Sequence, residues 1–188
     1  RNLEMPALTD KDKVALEIAK NCSIKDFSLS FCNRSDDVIE MRKRLDKGDK
    51  VISKIESILG VRNVESIAIE SDELLIDRGD LSREVAITSI PFIQRSIIGK
   101  ARAMNVPVNV ATNLLDSMIT KRTPTRSEVN DVVSTLLMGA NGLVLAAETA
   151  IGKHPVLSVK MIKELMDSTV HYYDSGINSF LLFNSANI

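Results

Sequence analysis

Tryptophan is absent from the 188 residues, and aromatics make up only 4% of the chain, so there is little from which to build stacking platforms for single-stranded nucleic acid. Two cysteines, Cys22 and Cys32, are too few and too close for a disulfide framework, and each reads as a small buried hydrophobe in a reducing cytoplasm. Charge of one sign is also missing. The net charge of −1 gives no general attraction to nucleic acid or to an anionic membrane. No apolar run approaches the roughly 18–20 residues that cross a bilayer, and no signal-peptide pattern opens the chain. His154 and His171 stand alone, with no second His or Cys at ligand spacing, so neither is a metal candidate. What remains is a soluble globular composition, 44% hydrophobic and 26% charged, in a chain long enough to bury a core.

What is present is an alternation of two periods. Helical spacing predicts helices over 10–20 (Thr9 or Asp10 as N-cap, Val14 and Ile18 on one face), Asp36–Leu45, Gly60–Ile69, Ile87–Met104, Val129–Met138 and Pro155–Tyr173. Between them, short β-branched or alternating runs predict strands at Asp26–Phe31, Lys50–Ile55, Glu73–Asp77, Val106–Ala111 and Gly142–Ala147. Thr125-Arg126-Ser127-Glu128 has the form of a capping box, with Pro124 just ahead. Strands alternating with helices imply right-handed βαβ crossovers and a parallel α/β sheet. The tail from Ser175 to Ile188 carries a short apolar run, Phe180–Phe183, expected to dock against a neighbour.

Each predicted strand ends in a small polar cluster: Asn33-Arg34, then Lys54 and Glu56, then Arg78-Gly79-Asp80, Thr112-Asn113 and Glu148-Thr149. In parallel β/α folds, loops and helix starts converge at the carboxyl ends of strands, where ligands bind. An open flavodoxin-like sheet shares that placement with a barrel. Lys54 and Glu56 are two apart on a strand and so point to one side. Glu56 and Asp80 offer two hard oxygen ligands on adjacent strands, which suits hydrated Mg²⁺. Lys54 beside such a cation would neutralise charge on a phosphoryl group, and Gly79 permits close backbone approach by an anion. The bland readings stand beside these: a solvated salt bridge for Lys54 and Glu56, a turn for Arg78-Gly79-Asp80, and an N-cap for Thr112-Asn113.

Several segments, in order and at similar spacing, resemble the pyruvate kinase family. They are Val51-Ile52-Ser53-Lys54-Ile55-Glu56, Arg78-Gly79-Asp80-Leu81, Ala111-Thr112-Asn113-Leu114-Leu115-Asp116-Ser117-Met118 and Pro124-Thr125-Arg126-Ser127-Glu128. The opening phrase Met5-Pro6-Ala7-Leu8-Thr9-Asp10-Lys11-Asp12 and the Glu148-Thr149-Ala150 turn with Gly152 and Pro155 echo the same pattern. The likeness covers roughly residues 5–170, and several motifs in register are more specific than any one alone. It implies a (β/α) barrel of the TIM type, with five of the eight β/α units in this chain: a partial catalytic barrel over 1–174 and an apolar tail over 175–188, with neither the lid domain nor the C-terminal effector domain. It implies transfer of a phosphoryl group from phosphoenolpyruvate to ADP, giving pyruvate and ATP, in the cytoplasm. By motif position Lys54 would stabilise the phosphoryl in flight, and Glu56 and Asp80 would bind Mg²⁺ or Mn²⁺. The backbone of Gly79 and Asp80, with the Thr112 hydroxyl, would position the substrate carboxylate. K⁺ is implied too, through ligands that this chain does not contain, and so is a homo-oligomer.

The departures are as specific as the matches. Ala146-Ala147 stands where the family usually has Ser-Gly, Asp77 replaces a small residue, Ser82 a glycine and Asn113 a glutamine. The lost serine removes a hydroxyl from the proton-handling network, and Asp77 adds negative charge beside the expected metal site, where it would weaken substrate binding or strengthen metal binding. Five strands leave a barrel open, so a further piece is expected to complete it: the earlier part of a longer chain, favoured because Arg1 enters the pattern mid-fold, or a partner, or a second copy. Two other functions fit the same residues. One is a catalytically impaired relative that keeps the pocket for binding or regulation. The other is a different metal-dependent phosphoenolpyruvate or pyruvate barrel enzyme, a lyase or aldolase holding an enolate at Glu56 and Asp80.

Overall fold

The computed structural model describes residues 6–185, with side chains through 175. Met5 of the opening phrase and residues 186–188 of the tail lie outside the described residues, as do the side chains of the Phe180–Phe183 run.

The chain divides into two compact units, residues 1–110 and 111–188. The first opens on helix α1 (Asp10–Asn21), capped by Thr9, whose side chain accepts from the Asp12 amide while Asp12 reaches back to Thr9. Only Leu16 of this helix is buried. Val14 and Ile18, which helical spacing puts on one face, are 56% and 58% exposed, because they lie about 200° around the helix from the Leu16 stripe that wins the core. Strand β1 (Asp26–Leu29) follows, then α2 (Ser35–Arg42), β2 (Lys50–Ile55), α3 (Ile58–Arg62), α4 (Val64–Glu70), β3 (Glu73–Asp77), the short turn α5 (Arg78–Leu81), α6 (Ile90–Ala103) and β4 (Val108–Ala111), which reaches the division. The second unit contains α7 (Arg126–Met138), β5 (Gly142–Val144), the short α8 (Ala147–Ala150) and α9 (Pro155–Ser185).

The strands lie in the sheet in chain order, β1 to β5. β1 with β2 and β2 with β3 pair in parallel, with Phe27 opposite Val51, Lys54 opposite Leu75 and Ile55 opposite Ile76. This is the parallel α/β class that the alternating periods predict. Side chains alternate across the strands. Val51, Ser53 and Ile55 of β2 and Leu74 and Ile76 of β3 are fully buried on one face, each apolar one contributing about 1.5–3 kcal/mol. Ile52, Lys54, Leu75 and Asp77 share the other, half-buried face. Against the buried face the helices supply Val38, Met41, Val64, Ile67, Ala68, Ile97 and Ile98. The second unit has its own core of Leu114, Leu115, Met118, Val132, Ile162 and Leu165.

Element boundaries depart from the sequence reading in instructive places. The helix expected over Gly60–Ile69 is two helices, broken at Asn63 (φ −99°, ψ 11°), which ends α3 and starts α4. Its side-chain amide donates to the Asn33 carbonyl at 2.8 Å, a tertiary contact that no local propensity encodes. Ile87–Ser89 is a 3₁₀ turn ahead of α6 rather than its first turn, as Pro91 favours the start of a helix over its interior. The last helix continues past Tyr173 through Ser185. Among the described residues no helix is long and apolar enough to cross a membrane.

Candidate functional site

The polar ends of β2 and β3 meet. Lys54 and Glu56 lie two residues apart on one side of the β2 pleat, and parallel register puts Asp77 on the same side of β3. The Lys54 ammonium contacts Glu56 Oε1 and stands 3.3 Å from Asp77 Oδ2. Carboxylate oxygens of Glu56, Asp77 and Asp80 all fall within 4.8 Å of one another. The structure therefore brings Lys54, Glu56 and Asp80 to one gap, and Asp77 with them.

Glu56 is the most deeply placed of the three acids, 1% exposed. Its Oε2 accepts from the Phe31 amide at 2.5 Å, and Phe31 adopts a left-handed φ of 49°. An unsupported bulky residue there is strained; the carboxylate anchors that turn. Glu56 Oε1, also buried, is the oxygen that meets the Lys54 ammonium. Burial lowers the basicity of Lys54, but Glu56 and then Asp77 outweigh it and the pKa is raised. Lys54 is held as an ammonium.

Asp77 caps the next turn. Its Oδ1 accepts from the Gly79 amide at 3.1 Å and more weakly from the Asp80 amide at 3.5 Å, while Ser82 Oγ donates to the Gly79 carbonyl at 2.7 Å. Asp80 is partly exposed and pairs with Arg83 at 3.3 Å. The sequence puts Asp77 beside the expected metal site as an added charge, and the structure has it there; its capping of the Gly79 and Asp80 amides is what the sequence reading lacks. The available signal was its position directly before Arg-Gly-Asp, where a side-chain oxygen naturally reaches the amides two and three residues on.

The cluster at Asn33-Arg34 serves the scaffold. Asp37 Oδ2 accepts from the Asn33 and Arg34 amides at 2.8 and 2.9 Å, and Asn33 Oδ1 accepts from Ser57 Oγ. Burial pushes the Cys32 thiol up to about 12, which suits a core residue and not a nucleophile. In the second unit, Thr112 and Asn113 both take left-handed backbone, φ 76° and 53°, a costly conformation for the β-branched Thr112. Glu148, also 1% exposed, accepts from the Leu115 and Ala146 amides, each at 2.9 Å. It ties the segment after Thr112-Asn113 to the turn before α8, a structural task the sequence reading did not foresee.

The three clustered carboxylates offer hard oxygens at a spread near twice a metal–oxygen bond of about 2.1 Å. Glu56 Oε1, buried at this gap, meets the Lys54 ammonium and would be shared with a cation held there. The donor set fits Mg²⁺ or Mn²⁺.

Comparison with known proteins gives the lineage. The family model described as "Pyruvate kinase, barrel domain" matches residues 1–159. The chain is 36% identical over 167 residues to a pyruvate kinase of Thermotoga maritima, covering 87% of this chain and 36% of that protein. It is 38% identical over 177 residues to one of Thermococcus litoralis, covering 93% and 37%. With one of Methanocaldococcus jannaschii it shares 35% identity over 175 residues, 92% and 39%. The chain thus spans somewhat over a third of the length of these curated relatives.

Proposed function

This chain belongs to the pyruvate kinase family, within its barrel domain, and from that lineage we propose that it carries the metal- and phosphoryl-handling part of a phosphotransferase site. The reaction is transfer of a phosphoryl group from phosphoenolpyruvate to ADP, yielding pyruvate and ATP, in the cytoplasm. The observation that supports it best is the meeting of one ammonium and three carboxylates, Lys54 with Glu56, Asp77 and Asp80, at adjacent strand ends.

In this reading Glu56 and Asp80 hold Mg²⁺ or Mn²⁺, which when bound polarises substrate oxygens and neutralises developing charge. Lys54, kept protonated by its acidic neighbours, faces the phosphoryl oxygens and stabilises the charge they carry in flight. The Gly79 and Asp80 amides and the Thr112 hydroxyl orient the substrate carboxylate. K⁺ and further nucleotide contacts would come from ligands that this chain does not contain, and the chain would assemble as a homo-oligomer or with the remainder of a longer chain. The test is a coupled assay for ATP formed from phosphoenolpyruvate and ADP, with and without Mg²⁺ and K⁺, on the chain and on Lys54→Met. Metal-dependent ATP formation that disappears in the variant supports the reading, and turnover surviving Lys54→Met removes the role given to Lys54.

A second reading is favoured by a specific observation. Asp77 occupies the Gly79 and Asp80 amides, and Ala146-Ala147 offers no hydroxyl. Both fit a relative that binds cation and has lost turnover. Thermal stabilisation by Mn²⁺ with no ATP formed would select it. Release of pyruvate from a substrate other than phosphoenolpyruvate would instead point to lyase or aldolase chemistry.

A further inference from the structure

We infer that Asp77 is a built-in competitor for the ligand carboxylate: it seats its own carboxylate where an anionic substrate would bind, so that the site takes a divalent cation readily and a small carboxylate ligand poorly. This rests on the reading that the Gly79 and Asp80 amides orient a substrate carboxylate.

The geometry is that of an occupied anion seat. One oxygen of Asp77 accepts from Gly79 N at 3.1 Å and from Asp80 N at 3.5 Å, and the other stands 3.3 Å from Lys54 Nζ. A single carboxylate thereby spans the two backbone donors and the one ammonium of the site. A ligand carboxylate would have to displace it, giving up its hydrogen bonds, and would then lie against a third negative charge. Toward a cation the same residue acts in the opposite sense. It joins Glu56 and Asp80 within 4.8 Å, and Glu56, 1% exposed, turns its Lys54-paired oxygen to the same gap. With three protein carboxylates in place, a Mg²⁺-type ion needs less from a substrate's oxygens to complete its shell. The side chain is thus specificity-determining: it shifts the site from carboxylate plus cation toward cation alone.

The probes are Mn²⁺ and oxalate, a small dicarboxylate, titrated by calorimetry into the full chain and into Asp77→Ala and Asp77→Asn at saturating Mn²⁺. The expected result is oxalate binding at least tenfold tighter in Asp77→Ala than in the parent chain, with Mn²⁺ alone binding several-fold more weakly. Asp77→Asn keeps an oxygen for the two amides but loses the charge, so its gain for oxalate is smaller yet measurable. Should Asp77→Ala fail to fold by circular dichroism, the asparagine variant decides, and no gain there overturns the inference. Equal oxalate affinity in the parent chain and both variants, all binding Mn²⁺, overturns the inference alone. Absence of Mn²⁺ binding in all three overturns it together with the reading of the site beneath it.

Discussion

Lys54 is opposite Leu75 in the β2–β3 pairing, yet its ammonium reaches along the pleat to Asp77, two residues further, and stops 3.3 Å from Oδ2. With Glu56 on its other side, this one cation balances two carboxylates on a half-buried strand end. Removing one partner of a buried pair costs more than the pair itself contributes, because the other charge stays desolvated. Lys54→Met should therefore destabilise the chain by about 2–3 kcal/mol, below the fully buried range since Lys54 keeps 21% side-chain exposure. Mn²⁺ would restore much of the loss by substituting for the missing charge. Thermal melts with and without Mn²⁺ check this; the metal-induced rise in Tm should be larger in the variant than in the parent chain.

Glu128, in the second unit, offers a pH signature. Burial alone would raise its pKa, but bonds from Ser117 and then Thr125 hold it below the ordinary glutamate value of 4.5. The donors are Ser117 N and Oγ, both at 2.6 Å, and Thr125 N and Oγ1 at 2.6 and 2.9 Å. A depressed folded-state pKa contributes stability that is present above 4.5 and lost as pH falls through the lower folded value. Glu128→Gln should thus cost about 1 kcal/mol near neutrality, and the gap should close below pH 4.5. A gap that persists unchanged at low pH would contradict the assignment.

Much of the scaffold is legible in the residues themselves. Lys50–Ile55 and Glu73–Asp77 read as strands from their β-branched and apolar content and are strands with those bounds. Thr125 through Glu128 reads as a capping box and forms one. What escaped depends on contacts distant in sequence. The break at Asn63 is supported by the Asn33 carbonyl, 30 residues away. The exposure of Val14 and Ile18 follows from which stripe of α1 the sheet accepts. Asp77 was visible as a charge, but where its oxygens point depends on the register of β3 against β2 and on the turn it caps.

Gly60 marks a close approach that the sequence conceals. A Cβ built there would stand 2.7 Å from the Cys32 carbonyl oxygen and 3.3 Å from Ser57 Oγ. Helix propensity alone favours alanine over glycine by about 1 kcal/mol. Steric displacement of a backbone carbonyl works against it and dominates in a packed interior. Gly60→Ala should destabilise the chain by about 2 kcal/mol in urea titration, with the slope unchanged; a stabilised variant would show that the approach of α3 to the Cys32 carbonyl is looser than the geometry indicates.

The buried acid of the second unit tests whether every polar strand end belongs to chemistry. Glu148 spends both oxygens on backbone donors, Oε1 on Leu115 N and Oε2 on Ala146 N. Glutamine in its place would aim an amide nitrogen at one of those N–H groups and leave a buried donor unpaired, at a cost of about 2 kcal/mol. Alanine would strand both. The expectation is a graded loss of stability, Glu148→Ala exceeding Glu148→Gln, with faster hydrogen exchange at the Leu115 and Ala146 amides in both variants. Since Leu115 follows closely on the left-handed pair Thr112 and Asn113, the same clamp restrains the segment that keeps Thr112 in its costly backbone conformation. Unaltered exchange at those two amides would mean that the segment is ordered by its own packing of Leu114 and Leu115 into the second core, and that Glu148 is available for another role.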